Sequence, residues 1–215
     1  MNPQPSTGGT LINVGLKQLS GLDVVSKQDI EGALHKIKNF KDQDMVGSTT
    51  HLSVIDKENN VASVTTTNGV GAGFTVPGTG IMPNNMLGEK HLNMNGFHNW
   101  KSRQRIPSNI CPTLIIDKNN NLTTLGSAGS SRIISATISV ISNLLHNEMS
   151  LKRSISKSRI HLEGDTLHCE PSDNHPKYKT KNVVVWGGKN MYFGGVNACS
   201  SFESVGDERR SGVSV

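Results

Sequence analysis

The residues best placed to do chemistry begin at Thr49, where Thr49-Thr50-His51-Leu52-Ser53-Val54-Ile55-Asp56 follows the small dipeptide Gly47-Ser48. Cutting the Ser48–Thr49 bond would leave a residue carrying both a hydroxyl nucleophile and its own amine base, a known way to activate a weak hydroxyl. The plainer reading is a strand-initiating threonine, since β-branched residues favour strands. Taken alone, the segment favours that plainer reading. A second candidate is Gly126-Ser127-Ala128-Gly129-Ser130-Ser131, which joins a strand-like run to an apolar helix. Small residues let backbone approach a ligand, and the first amides of a helix lack intrahelical acceptors and sit at the positive end of its dipole. Such amides suit a phosphate or a tetrahedral oxyanion; a simple turn capped by Ser130 or Ser131 is the competing reading. The lysine of a GxxxxGK[ST] loop is missing, which counts against a nucleotide.

Thr65-Thr66-Thr67-Asn68 ends the strand that should return beside Thr49. Glu89 stands in an Asn-rich loop, where a carboxylate could hold an ammonium group or simply be solvated. His51, His98, His161 and His168 are dispersed without metal-pair spacing, so surface or packing roles are expected, with no metal and no cofactor.

These candidates need elements to position them. Leu11 to Leu22 carries an approximately helical apolar face, and Ser26 is placed to cap a second helix bearing Ile30, Ala33, Leu34 and Ile37. Phe40 to Ser48 reads as an exposed linker open to cleavage. Residues 50–56 and 61–67 predict a hairpin about Lys57-Glu58-Asn59-Asn60, and Thr113–Ile116 with Leu122–Leu125 predicts a second. Ile133 to Leu145 is apolar over a wide arc and should lie against a sheet. A strand is expected within 154–170, and Val183–Trp186 with Met191–Val196 predicts a third hairpin. The succession points to an α+β fold, a largely antiparallel sheet covered by helices.

Composition bounds the setting. Aromatic residues are 4% and hydrophobic residues 34% of 215, lean for a self-sufficient core, so apolar partner surface is expected from elsewhere. The net charge of +5 arises from residues such as Lys152, Arg153, Lys157 and Arg159, read as a solvated face. No aromatic interleaving supports nucleic-acid binding. Three widely spaced cysteines suggest free thiols rather than disulfides or zinc. No run reaches the roughly 20 apolar residues of a membrane span. The opening residues lack the charge and apolar run of a signal peptide, which favours the cytoplasm slightly and leaves localisation open.

Taken together, several segments carry a resemblance: Thr49 to Asp56, Thr67-Asn68, Gly80-Ile81-Met82-Pro83-Asn84-Asn85-Met86-Leu87-Gly88-Glu89, Arg105 through Pro112-Thr113, and Gly126 through Arg132. Their order resembles that of the γ-glutamyltransferase (glutathione hydrolase) family of N-terminal-nucleophile hydrolases. Pro5-Ser6-Thr7-Gly8-Gly9 is similar to the end of the family's large subunit, and Gly206-Asp207-Glu208-Arg209-Arg210-Ser211-Gly212 to its C-terminus.

The resemblance implies a four-layer αββα sandwich, incomplete in this chain, and a precursor that cleaves itself at Ser48–Thr49. Residues 1–48 would be the tail of a large-subunit region and 49–215 a small-subunit-like catalytic region. Thr49 would attack the γ-glutamyl amide carbon of glutathione or a related compound, with Thr67 positioning it and the amides of Gly129 and Ser130 forming the oxyanion hole. Glu89 would bind the substrate α-ammonium, and Asn68, Ser108 and Asn109 the α-carboxylate. The partner implied is the family's large-subunit region, forming a heterodimer or larger assembly. The sequence departs from the family pattern at Asn109, Ser130 and Met86, where many members have Ser, Gly and Gln or Glu. A related acylase and a non-catalytic remnant are the alternatives.

Overall fold

The computed structural model describes residues 8–38, 49–93, 95–172 and 177–215. The expected linker and the Pro5–Thr7 part of the resemblance lie outside the described residues.

Two helices come first, α1 (Gly8–Leu19) and α2 (Lys27–Lys38). Ser26 starts α2 through a reciprocal cap: its hydroxyl accepts from the Asp29 amide at 3.2 Å while its own amide donates to Asp29 Oδ2 at 2.8 Å. The predicted first hairpin is present as β1 (Thr49–Ile55) and β2 (Val61–Thr67), and Asp56 ties the turn by accepting from the amides of Glu58 and Asn60. β3 (Thr113–Ile116) and β4 (Leu122–Ala128) form the second hairpin, with Asp117 playing the same part through Asn119 and Asn121. After β4 come α3 (Arg132–Leu145) and α4 (Leu151–Ser156). β5 (Ile160–Glu163), β6 (Thr166–Cys169), β7 (Asn182–Val185), β8 (Gly195–Ser200) and β9 (Ser204–Val205) complete the fold.

The chain is α+β. Its central sheet has the order β3-β4-β8-β9, all antiparallel. One face carries α3, whose Ile134, Ile138 and Ile141 join Leu125, Val196 and Ala198 and the apolar faces of α1 and α2 in the core. Across the opposite face lies the β1–β2 hairpin, packed over β4 and β8 without pairing to them. A third sheet, β5-β6-β7, lies against α2 and α3.

The third hairpin is not formed. β7 pairs in parallel with β6, and Met191–Phe193 is a 3₁₀ turn that delivers the chain to β8. Two apolar runs flanking a Gly-Gly signal look like a hairpin locally, but each finds its partner at long range. Nor are the basic residues all solvated: Arg159 is 2% exposed because Asp207 lies 2.7 Å from its guanidinium.

The β1–β2 hairpin has its polarity reversed. Toward the central sheet it turns the half-buried Thr49, Ser53, Thr65 and Thr67 and the buried His51, whereas Leu52, Val54 and Val64 are exposed. The approach is close at one point. A Cβ on Gly126 of β4 would stand 2.3–2.7 Å from three atoms of the His51 ring, so only glycine lets the sheets meet there. Gly126→Ala is therefore expected to lower the unfolding free energy by about 1–3 kcal/mol in urea titrations. Gly187→Ala, whose methyl meets open space, should change it by no more than about 0.5 kcal/mol.

Candidate functional site

Register alone brings the two threonines together. Thr49 and Thr67 are Cα partners at the open end of the hairpin, and Thr49 Oγ1 donates to Thr67 Oγ1 at 3.0 Å. Thr67 Oγ1 also accepts from the Gly69 amide at 3.0 Å, which fixes the acceptor. Ser48, on the other side of the expected cleavage bond, lies outside the described residues.

His51 holds this end of the hairpin in place. Its Nδ1 lies 2.7 Å from Thr65 Oγ1 and its Nε2 2.9 Å from Ser53 Oγ, while its backbone carbonyl accepts from Asn197 Nδ2 on β8 at 3.0 Å. Burial disfavours its imidazolium and pushes its pKa down to about 4. Gly126, on which the ring rests, lies three residues before Gly129 on the same chain, so the contact sets the distance between Thr49 and the turn ahead of α3.

That turn is sharply bent: Gly129 has φ +136° and Ser130 φ +58°. A left-handed serine is costly, and the structure supplies a compensating contact, since Ser130 Oγ donates to Glu89 Oε2 at 3.0 Å. Neither Ser130 nor Ser131 caps α3 with its side chain, contrary to the capped-turn expectation. Ser131 Oγ accepts from Arg132, whose guanidinium is buried, donates to the Tyr192 carbonyl and stacks over the Tyr192 ring.

Glu89 is buried rather than solvated, with His91 Nε2 3.4 Å from the same Oε2 that Ser130 contacts. The structure thus gathers Thr49, Thr67, Gly129, Ser130 and Glu89 around the contact between hairpin and turn. Asn68 is exposed, and its carbonyl accepts from the amides of Gly71 and Asn85 to close the following loop. Ser108 and Asn109 lie ahead of β3 beside the start of α1, where the Ser108 carbonyl accepts from the Gly8 amide at 3.0 Å. Neither lines the cavity at Thr49. That cavity, of about 300 Å³, is bounded by Thr49, Thr50, His51, Ala128, Gly195 and Arg210 among others.

Sequence reasoning missed the support behind this cavity. Arg209 donates from Nε and Nη2 to both oxygens of Glu170 at 2.6 Å, and Asp207 meets both Arg159 at 2.7 Å and Arg209 at 3.2 Å. All four side chains are buried. Burial lowers the Arg159 pKa to about 10 against the opposing pull of Asp207; burial also disfavours the charged form of Arg209, but its hydrogen bonds to Glu170 and the charge of Asp207 outweigh that and raise its pKa. Asp207 also accepts from the Val196 amide and donates its own amide to Asn197 Oδ1, linking the C-terminal segment through Asn197 to His51. The C-terminal resemblance marked the right segment, but which charges pair is decided at a separation of 39 residues. Among the described residues there is no group of His, Cys, Asp and Glu able to hold a metal, and Cys111, Cys169 and Cys199 are free.

The neutral His51 makes stability depend on pH. Below about pH 6.5 the unfolded chain takes up a proton that the native imidazole refuses, so this contribution is complete above pH 6.5 and is lost as pH falls toward 4. The destabilisation caused by His51→Gln, measured by urea unfolding, should therefore shrink by about 2 kcal/mol between pH 7.5 and pH 5.

The family model for gamma-glutamyltranspeptidase matches residues 16–209. The glutathione hydrolase proenzyme of Bacillus subtilis (strain 168) is 29% identical over 220 residues, covering 93% of this chain and 37% of that protein. The acylase ACY 1 proenzyme of Pseudomonas sp. (strain SE83) is 31% identical over 57% of this chain and 22% of that protein. A crystal structure of an acivicin-inhibited gamma-glutamyltranspeptidase superposes with a TM-score of 0.59 at 28% identity, covering 75% of this chain and 99% of the matched chain. This chain spans 27–37% of the length of the first curated relatives it matches. With the family model covering most of its length, the chain belongs to the gamma-glutamyltranspeptidase family.

Proposed function

We propose that this chain is the catalytic portion of a γ-glutamyl hydrolase/transferase, working with a large-subunit region of the kind the family resemblance implies. The observation that carries the reading is Thr49: it begins a strand, meets Thr67 at 3.0 Å, and lines one cavity with Ala128, next to the bent turn at Gly129 and Ser130.

In this reading, Thr49 attacks the Ser48 carbonyl carbon, the peptide C–N bond breaks, and water releases residues 1–48 from the resulting ester. The freed amine of Thr49, with a reference pKa of about 7.7–8.0, then takes the Thr49 hydroxyl proton as Oγ1 bonds to the γ-glutamyl carbon. The amides of Gly129 and Ser130 donate hydrogen bonds to the developing oxyanion. Collapse expels the amine with that proton, and water or an acceptor amine releases the glutamyl group. Glu89, with the hydroxyl of Ser130 and His91 at its carboxylate, is the group to receive the α-ammonium. Asn68, Ser108 and Asn109 are the candidates for the carboxylate.

The reversed hairpin supports the missing layer. Leu52 is 60% and Val64 48% exposed on the face turned away from the central sheet. A fourth layer, completing the αββα sandwich, would cover them, and the relatives' greater length supplies the chain to build it. The match to an acylase proenzyme favours a second reading, the same ester chemistry on a glutaryl-type side chain without the α-amino group.

Turnover separates the two readings. With the upstream region supplied, γ-glutamyl-anilide should be cleaved in preference to glutaryl-anilide, and Thr49→Ala should lower the rate at least about 1,000-fold. Thr67→Val should lower kcat by about 10–100-fold through lost positioning, with little change in KM. Cleavage of the glutaryl compound alone would transfer the assignment to the acylase reading, and no cleavage of either would overturn both.

A further inference from the structure

Arg210 brings to the Thr49 cavity a charge that the surrounding protein does not pair. Its stem lies across Gly195, where a Cβ would stand 3.0–3.1 Å from Arg210 Cβ, Cγ and Cδ, and its Nη2 reaches within 3.5 Å of a Cβ position on Gly129. Among the described residues its side chain makes no hydrogen bond or ion pair, and its Nε is shielded from solvent without an acceptor. The adjacent Arg209, by contrast, is held by Glu170 and Asp207. Burial and the nearby Arg132 both disfavour the charged form of Arg210, with Asp207 opposing them. Arg210 is half-buried with its Nε shielded from solvent, so a counter-anion reaching it would be favoured, and its planar fork suits a carboxylate.

The position separates this group from the donor-binding candidates. Glu89 meets the bent turn at Ser130 from the loop after β2, and Ser108 and Asn109 precede β3. Arg210 meets the same turn at Gly129 from the side of β8, and none of Glu89, Ser108 and Asn109 lines its cavity. We propose that this cavity is a second subsite, in which Arg210 takes the carboxylate of the amine half of the reaction. That half is either the carboxylate-bearing amine released from the acyl group or the amino acid that accepts the acyl group. The ligand's identity rests on the acyl-transfer reading of Thr49; the anion-binding role of Arg210 rests on the cavity.

The test is an NMR titration of the full chain, which needs no turnover. Alanylglycine is compared with its C-terminal amide, and L-glutamate serves as the donor-side probe. Alanylglycine should shift the amides of Gly195, Asn197 and Ser211, and its amide should bind at least about 10-fold more weakly. Arg210→Gln should weaken binding of the acid by a similar factor, and Arg210→Lys, which keeps the charge, by less. L-Glutamate should instead shift the amides of Glu89 and Ser130. Equal binding of acid and amide, no response at the β8 side, or equal loss in both variants would overturn the subsite. Binding through Arg210 without any anilide turnover would overturn the acyl-transfer reading and leave the subsite standing.

Discussion

The site depends on the contact between the His51 ring and the bare backbone of Gly126. It joins two sheets that share no ladder hydrogen bonds, and it does so close to the nucleophile candidate and the bent turn. Thr65 and Ser53 hold the ring within the hairpin, and the His51 carbonyl accepts from Asn197 on β8, so sliding the hairpin along β4 would break that part-buried bond between the sheets. Thr49 rides on that anchor two residues away. The turn at Gly129 lies three residues beyond Gly126 on the other side of the contact. Neither loop needs to be rigid in itself for the two to stay in register.

This arrangement explains why the hairpin is polar inside and apolar outside. A hydrophobic inner face would bury the hairpin more favourably but would leave no hydroxyls facing the central sheet. The structure holds the polar face with specific hydrogen bonds and leaves Leu52, Val54 and Val64 exposed. The buried Arg159–Asp207–Arg209–Glu170 network serves the same frame from behind. Replacing one of its members would strand the others, and through Asn197 the disturbance would reach His51. Charge burial of this kind adds little net stability, but it dictates which segments meet.

Much of this was legible in the sequence because it is local. The reciprocal Ser26–Asp29 cap, the Asp-Asn turns of both early hairpins and the wide apolar arc of α3 all follow from residues a few positions apart. The pairing of Thr49 with Thr67 followed from the hairpin. What escaped was long-range. Val183–Val185 and Gly195–Val196 look like halves of one hairpin until β6 and β4 claim them separately. Arg159 looks like a solvated charge until Asp207 is brought beside it. Glu89 looks like a loop carboxylate until Ser130 donates to it, and no spacing rule links residues 41 apart. The family resemblance singled out Glu89 and the C-terminal segment, but it carried neither the Ser130–Glu89 contact nor the unpaired side chain of Arg210.

The central claim is that Thr49 is a latent nucleophile whose amine must be freed before it can work. The most direct measurement is the intact mass of the protein with a large-subunit partner supplied. The account predicts a fragment whose mass begins at Thr49, absent in Thr49→Ala. A full-length chain that persists in the assembled wild type would contradict it.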